Sequence, residues 1–139
     1  MNIIVDTCIW SLALRRSAPP ESPVVAELRT LIADQRVQLL GSIRQELLSG
    51  VRDERQFALL RDHLAAFPDL HLGEQVYVQA AACFNACRVK GIQGSNTDFL
   101  ICAAAIEHSL SIFTTDLDFS RFAEVLPIRL VELPRRAEG

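Results

Sequence analysis

The chain has 139 residues, half of them hydrophobic, with 14 basic against 17 acidic side chains and a formal net charge of −3. That length suits one domain with a substantial core, and the mild acidity argues against a nucleic-acid binder working by overall attraction, though not against an enzyme with a local basic rim. No run nears the roughly 20 apolar residues of a membrane span, and the opening MNIIVD lacks the basic start and long apolar core of a signal peptide, so a cytoplasmic protein is expected.

Ile3-Ile4-Val5 reads as an interior strand ending at Asp6, and Thr7 to Leu14 as a short helix closed by Arg15 and Arg16. Ser17 to Pro23, with three prolines, is a loop. Val24 to Asp34 is helical, with Val25, Leu28 and Ile32 on one face, and Val37 to Leu40 is a second strand. Gly41 and Ser42 open a helix over Ile43 to Ser49, which Gly50 stops. Asp53 to Phe67 is amphipathic, with Phe57, Leu60, Leu64 and Phe67 in one stripe before Pro68. Gly73-Glu74 starts a long helix to Lys90, with Val76, Ala80, Cys83 and Cys87 in line, and Gly91 closes it.

The stretch from Gly94 to Asp118 organises the rest. Ser95, Asn96 and Thr97 are helix-starting residues. Phe99 to Ile106 is apolar all round and rich in alanine, as in a buried helix that others approach closely. Leu110 to Phe113 is a third interior strand, with Asp116 just past it. Asp116 to Val125 is a short helix and Ile128 to Val131 a last strand. Residues 1–133 form one domain, and 134–139 a polar, loose tail. Short apolar strands alternating with helices imply an α/β fold with a mostly parallel sheet covered on both faces. The helices from Asp53 to Lys90 make a longer excursion, suited to a clip or arm.

Cys8, Cys83, Cys87 and Cys102 form no CxxC pair and have no histidines at zinc-ligand spacing. All four read as small buried residues. Thirteen of the 14 basic residues are arginine, a residue suited to phosphate, but a composition bias explains the skew equally well.

Asp6, Glu46, Asp98 and Asp116 sit just after expected strands or in early turns of expected helices, with Asp118 as a possible fifth. In a parallel sheet, ligand sites lie outside the carboxyl ends of the strands. Each acid also has a structural explanation. Asp6 can N-cap the helix from Thr7. Ser95 with Asp98, and Thr115 with Asp118, fit capping boxes. Glu46 falls one residue too late to cap, because Ser42 and Gln45 already make such a box. Two carboxylates about 5 Å apart repel by roughly 3 kcal/mol at an effective dielectric of about 20, whereas a helix dipole returns only about 0.3–1 kcal/mol per acid. If the four converge, caps cannot hold them together, and a cation or a proton must. Oxygen-only ligands indicate Mg²⁺ or Mn²⁺. Such an ion can clamp a phosphate oxygen and activate water, which is the chemistry of phosphodiester hydrolysis.

The blocks IIVDTCIW, SIRQELLSGV, TDFLICAAAIEHSL and FTTDLDFSRF, in that order and spacing, resemble the PIN-domain ribonucleases, and among them the VapC-type toxins of bacterial toxin–antitoxin pairs. The resemblance covers nearly the full length. It implies a PIN-like three-layer α/β/α sandwich and a four-acid Mg²⁺ site that cuts RNA. The family's acids fall on Asp6, Glu46, Asp98 and Asp116. Asp6, Asp98 and Asp116 are then metal ligands, and Glu46 orients the attacking water or takes its proton. Thr7 matches the hydroxyl after the first acid, Thr115 a supporting position, and Asp118 a second, less constant acid. Cys8 stands where many relatives have serine, and the loop from Ser17 to Pro23 matches nothing in the pattern. Arg15, Arg16, Arg44 and Arg52 are candidate phosphate contacts, although an ordinary solvated surface explains each as well. The resemblance also implies a homodimer and a VapB-type antitoxin that wraps the toxin, with an arginine entering the acidic pocket.

Three other readings compete. A haloacid-dehalogenase-type phosphatase needs D-x-D after the first strand, but Asp6 is followed by Thr7 and Cys8. A receiver domain needs paired acids there and a lysine after a late strand, but Lys90 ends a long helix. The non-enzymatic reading is a module whose acidic pocket only receives an arginine-bearing peptide.

Overall fold

Ile3–Val5 is buried at every position and forms the inner strand β1. The computed structural model describes residues 2–14 and 22–133. β2 (Val37–Gln38) lies on one side of β1, β3 (Ser111–Phe113) on the other, and β4 (Arg129–Leu130) outside β3, all parallel, in the order β2-β1-β3-β4. The expected four strands are all present. Three are shorter than their apolar runs: β3 starts at Ser111 rather than Leu110, Leu39 continues only as an isolated bridge to Asp69, and Val131 holds only one further bond, to Ile112.

Among the described residues seven helices connect them: α1 (Thr7–Leu14), α2 (Pro23–Ala33), α3 (Gly41–Leu48), α4 (Glu54–Leu64), α5 (Glu74–Val89), α6 (Asn96–His108) and α7 (Asp118–Phe122). The chain steps from β1 to β2 in one direction and from β2 to β3 and β4 in the other. Parallel crossovers are right-handed, so opposite steps put their helices on opposite faces of the sheet. This is the expected α/β/α sandwich. The direction reverses between β1 and β3, and open parallel sheets bind ligands at the carboxyl ends of the strands flanking such a switch.

The apolar patterns sort the helix faces with two exceptions. Val76, Ala80, Cys83 and Cys87 are the buried line of α5, as expected. On α2 the buried line is Val25, Leu28 and Leu31, and Ile32 is exposed. On the α4 stripe Leu64 is buried and Leu60 packs against the core, while Phe57 is exposed. α5 packs along α6, so this half of the excursion is body rather than arm. Cys83, Cys87 and Cys102 are buried free thiols, whereas Cys8 is only half-buried. The tail, Arg15, Arg16 and most of the proline loop lie outside the described residues.

A chain of rings fixes the elements that carry the later acids. Phe84 meets Phe99 at 5.4 Å, Phe99 meets Phe122 at 4.8 Å, and Phe122 meets Phe119 at 5.2 Å. Such pairs add about 0.5–1.5 kcal/mol each beyond buried area. Phe99 follows Asp98 and Phe119 follows Asp118, so the cluster clamps the start of α6 to α7. Gly94 makes room for it: a Cβ there would stand 2.5 Å from Phe122 Cζ.

Candidate active site

Asp6 leaves β1 at its carboxyl end. Val5 pairs with Phe113, and the Asp6 N–H donates to the Phe113 carbonyl at 2.9 Å, so Asp6 stands level with Thr114. The Thr114 hydroxyl donates to Asp6 Oδ2 at 2.8 Å, and the Thr7 N–H donates to Asp6 Oδ1 at 2.8 Å. Asp6 is the one buried charged residue among those described. Its pKa is raised: desolvation dominates, the bonds from Thr114, Thr7 and Cys8 partly offset it, and the Asp98 charge raises it further. The Asp98 influence places that carboxylate within electrostatic reach of Asp6. This is also what topology requires, since a helix feeding a parallel strand runs antiparallel to it and starts at the strand's carboxyl edge.

The other acids attach through hydroxyls and turns. Thr7 Oγ1 donates to Glu46 Oε2 at 2.7 Å, which links the start of α1 to α3. The Asp116 N–H donates to Thr114 Oγ1 at 3.0 Å, and the Asp118 N–H donates to Asp116 Oδ1 at 2.9 Å. One hydroxyl, that of Thr114, thus orders both Asp6 and the turn bearing Asp116. Asp98 and Ser95 form the expected reciprocal capping box, with Asp98 Oδ2 accepting from the Ser95 N–H at 3.1 Å. Glu46 and Asp116 are exposed, while Asp98 and Asp118 are half-buried.

Several local expectations are corrected. The Thr115–Asp118 box does not form, because α7 begins after Leu117 and Asp116 itself accepts the Asp118 N–H. The Ser42–Gln45 box does not form either. Helix α3 starts two residues earlier, after Leu40 without a side-chain cap, and Ser42 Oγ is buried without a partner. Thr115 donates to Cys8 Sγ at 3.4 Å rather than supporting an acid directly. The support is Thr114, which the sequence reading passed over. Period-two alternation from the buried Ile112 could have found it, since Thr114 is next on that side. Cys8 Sγ also lies 3.6 Å from Asp6 Oδ2 and 3.5 Å from Thr114 Oγ1, so the thiol sits inside this network. Arg44 is not free for phosphate: its guanidinium donates to Asp69 at 3.0 Å and to the carbonyls of Leu64 and Phe67. Arg52 is exposed.

The donor set is carboxylate oxygen, which suits a hard divalent cation. Among the described residues no cationic side chain pairs with Asp6, Glu46, Asp98 or Asp116, so the desolvated Asp6 charge lacks a neutralising partner there. Nor, among those residues, do three histidine, cysteine, aspartate or glutamate side chains stand together as ready-made ligands of one ion. Hydrogen bonds through Thr7 and Thr114 link Asp6, Glu46 and the Asp116 turn, and Asp98 acts on Asp6 by charge alone, an open set that suits an ion keeping several waters.

The family profile described as the PIN domain matches residues 3–125. VapC ribonuclease Mb1587 of Mycobacterium bovis is 30% identical over 127 residues, covering 88% of this chain and 92% of the relative. Ribonuclease VapC11 of Mycobacterium tuberculosis matches to the same extent, 30% over 127 residues. The crystal structure of FitAcB from Neisseria gonorrhoeae superposes with a TM-score of 0.74 at 25% identity, covering 94% of this chain and 96% of that one. VapBC2 from Rickettsia felis, bound to a DNA fragment from its promoter, gives 0.76 at 18% identity over 94% and 98%, a likeness of fold.

Proposed function

The chain belongs to the PIN-domain family, and from that premise we propose that it is a divalent-metal-dependent endoribonuclease of VapC type, neutralised by a cognate antitoxin. The observation that carries the reading is Asp6: a buried carboxylate, opposed by Asp98, tied through Thr7 to Glu46 and through Thr114 to the Asp116 turn, with no cationic side chain of the described chain beside it.

In this reading Asp6, Asp98 and Asp116 hold the ion, which is Mg²⁺ or Mn²⁺. When bound, it lowers the pKa of a water and withdraws charge from a phosphate oxygen. The chain's own groups do the rest. The Thr7 hydroxyl engages Glu46 Oε2 and leaves the other oxygen of an exposed carboxylate free to accept a proton from water. Thr114 holds Asp6 Oδ2 in place, and Asp118 steadies Asp116 through its N–H. Asp118 and Thr115 support the site from outside it. Of the four candidate arginines, Arg15, Arg16 and Arg52 remain to meet phosphate.

Support for the partner comes from an apolar groove of about 870 Å³ between α1, α3 and α4. Leu14, Leu47, Leu59 and Leu60 line it, with Leu14 47% and Leu59 53% exposed. Its form suits the apolar face of an antitoxin helix.

The test is incubation of the purified protein with mixed RNA, with and without Mg²⁺. Metal-dependent cleavage is the expected outcome. Peptide binding without metal and without cleavage would instead favour the acidic-pocket docking module.

A further inference from the structure

A cavity of about 450 Å³ opens between α5 and α6, walled by Tyr77, Phe84, Asn85, Asn96, Thr97 and Leu100. That size falls within the roughly 300–1,000 Å³ typical of small-molecule sites. Its composition is specific. Phe84 and Leu100 give it apolar walls, and Tyr77 is 55% exposed. The Asn85 and Asn96 amides are exposed and bond to no other described residue. An aromatic face beside free amide edges is the equipment for holding an unpaired nucleobase, the face by stacking and the edge by paired hydrogen bonds. A purely apolar protein contact has no use for the two amides.

The cavity's position connects it to the acids. Asn96 and Thr97 are the first residues of α6, and Asp98 is the next. One turn of helix is about 5.4 Å, so the cavity mouth and the carboxylate lie within a nucleotide's reach of each other. Tyr77 and Leu100 also wall a second cavity, about 600 Å³, shared with Gly41 and Gln45 of α3, where Glu46 is the next residue. The ring therefore stands between two grooves, each with a lining residue, Thr97 or Gln45, that directly precedes an acid of the site.

We propose that the Tyr77–Asn85–Asn96 cavity is a nucleobase subsite that seats one unpaired base of the RNA next to the scissile phosphate and so contributes to the choice of cleavage position. This rests on the ribonuclease reading above, and the test separates the two.

The probe is a single-stranded RNA hexamer carrying 2-aminopurine, whose fluorescence falls when the base stacks, titrated into the intact protein in EDTA so that no cleavage occurs. The wild type is expected to quench it. Tyr77→Ala should abolish the quench and Tyr77→Phe should keep it. Asn85→Leu, which favours the helix and makes the surface more apolar, should weaken hexamer binding about tenfold, near the lower end of a lost bidentate amide–base contact. Light scattering should give one mass for all four proteins. Three results would overturn the proposal: no quench by the wild type, Asn85→Leu binding as tightly as the wild type, or Tyr77→Ala reducing the mass, which would make this face a contact between copies. Cleavage of mixed RNA in Mg²⁺ is scored separately. Wild-type cleavage without a quench removes the subsite and leaves the nuclease; a quench without cleavage removes the nuclease and leaves a base-binding pocket.

Discussion

The Thr114 hydroxyl donates to Asp6 Oδ2 at 2.8 Å and accepts the Asp116 N–H at 3.0 Å, so one side chain joins the ends of β1 and β3. Thr114→Val keeps the shape and removes both bonds. A buried group left short of a partner costs about 1–3 kcal/mol, and the released Asp6 rotamer no longer presents its oxygens correctly. We expect a loss in denaturant stability of that order and at least a tenfold fall in cleavage rate. Thr114→Ser should restore most of both. A valine variant cutting at the wild-type rate would show that this bond does not position Asp6.

Asp98→Asn should abolish cleavage while leaving the fold intact. The amide oxygen can still accept the Ser95 N–H, so the reciprocal cap survives, but a negative ligand is lost. The expected pairing is an unchanged thermal midpoint in EDTA and a smaller midpoint rise on adding Mg²⁺. Normal cleavage by this variant would remove Asp98 from the metal set.

The raised pKa of Asp6 sets a pH dependence for the metal-free protein. Its folded value lies above the ordinary 3.8, so the folded state binds the proton more tightly than the unfolded state does. The contribution of Asp6 to stability is therefore full below the unfolded value and is lost as pH rises through the folded one. Asp6→Asn cannot ionise, so its stability relative to wild type should improve with rising pH across that window. Unfolding curves at several pH values in EDTA measure this. A variant that loses stability relative to wild type as pH rises would contradict the direction of the shift.

Arg44→Ala should act on stability rather than on RNA. Its guanidinium joins Asp69 to the Leu64 and Phe67 carbonyls at the end of α4 and just beyond it, and bonds from a charged group contribute roughly 1.5–3 kcal/mol when buried, less at this partly exposed site. We expect a loss of about 1–2 kcal/mol with RNA affinity unchanged. Arg52→Ala, on an exposed residue, should show the reverse: unchanged stability and weaker RNA binding.

Gly94→Ala tests the clamp behind the acids. The added methyl meets Phe122 at 2.5 Å, and Phe122 is fully buried. Overpacking of this kind costs about 1–3 kcal/mol. Urea unfolding should show that loss, together with reduced cleavage as the start of α6 shifts.

The elements were legible because their signals are local. Thr7–Leu14 matched its predicted ends, the α5 stripe of Val76, Ala80, Cys83 and Cys87 buried as a set, and Ser95 with Asp98 closed its box. Asp6 and Asp116 follow strands and Asp98 opens a helix, so their positions were legible locally, whereas Glu46 lies in the second turn of α3. Two capping boxes with the same spacing failed, because a box depends on where the helix starts and the neighbouring turn decides that. The α3 helix begins after Leu40, and α7 begins after Asp116 has already taken the Asp118 N–H. Strand alternation could mark the position of Thr114 but not its partner, because the bond to Asp6 spans 108 positions. By itself, the sequence determined the helices, the strand interiors and which residues carry negative charge. Only the tertiary structure decided which hydroxyl holds which carboxylate and which arginine is spent on packing, since both follow from sheet register and loop closure between residues far apart along the chain.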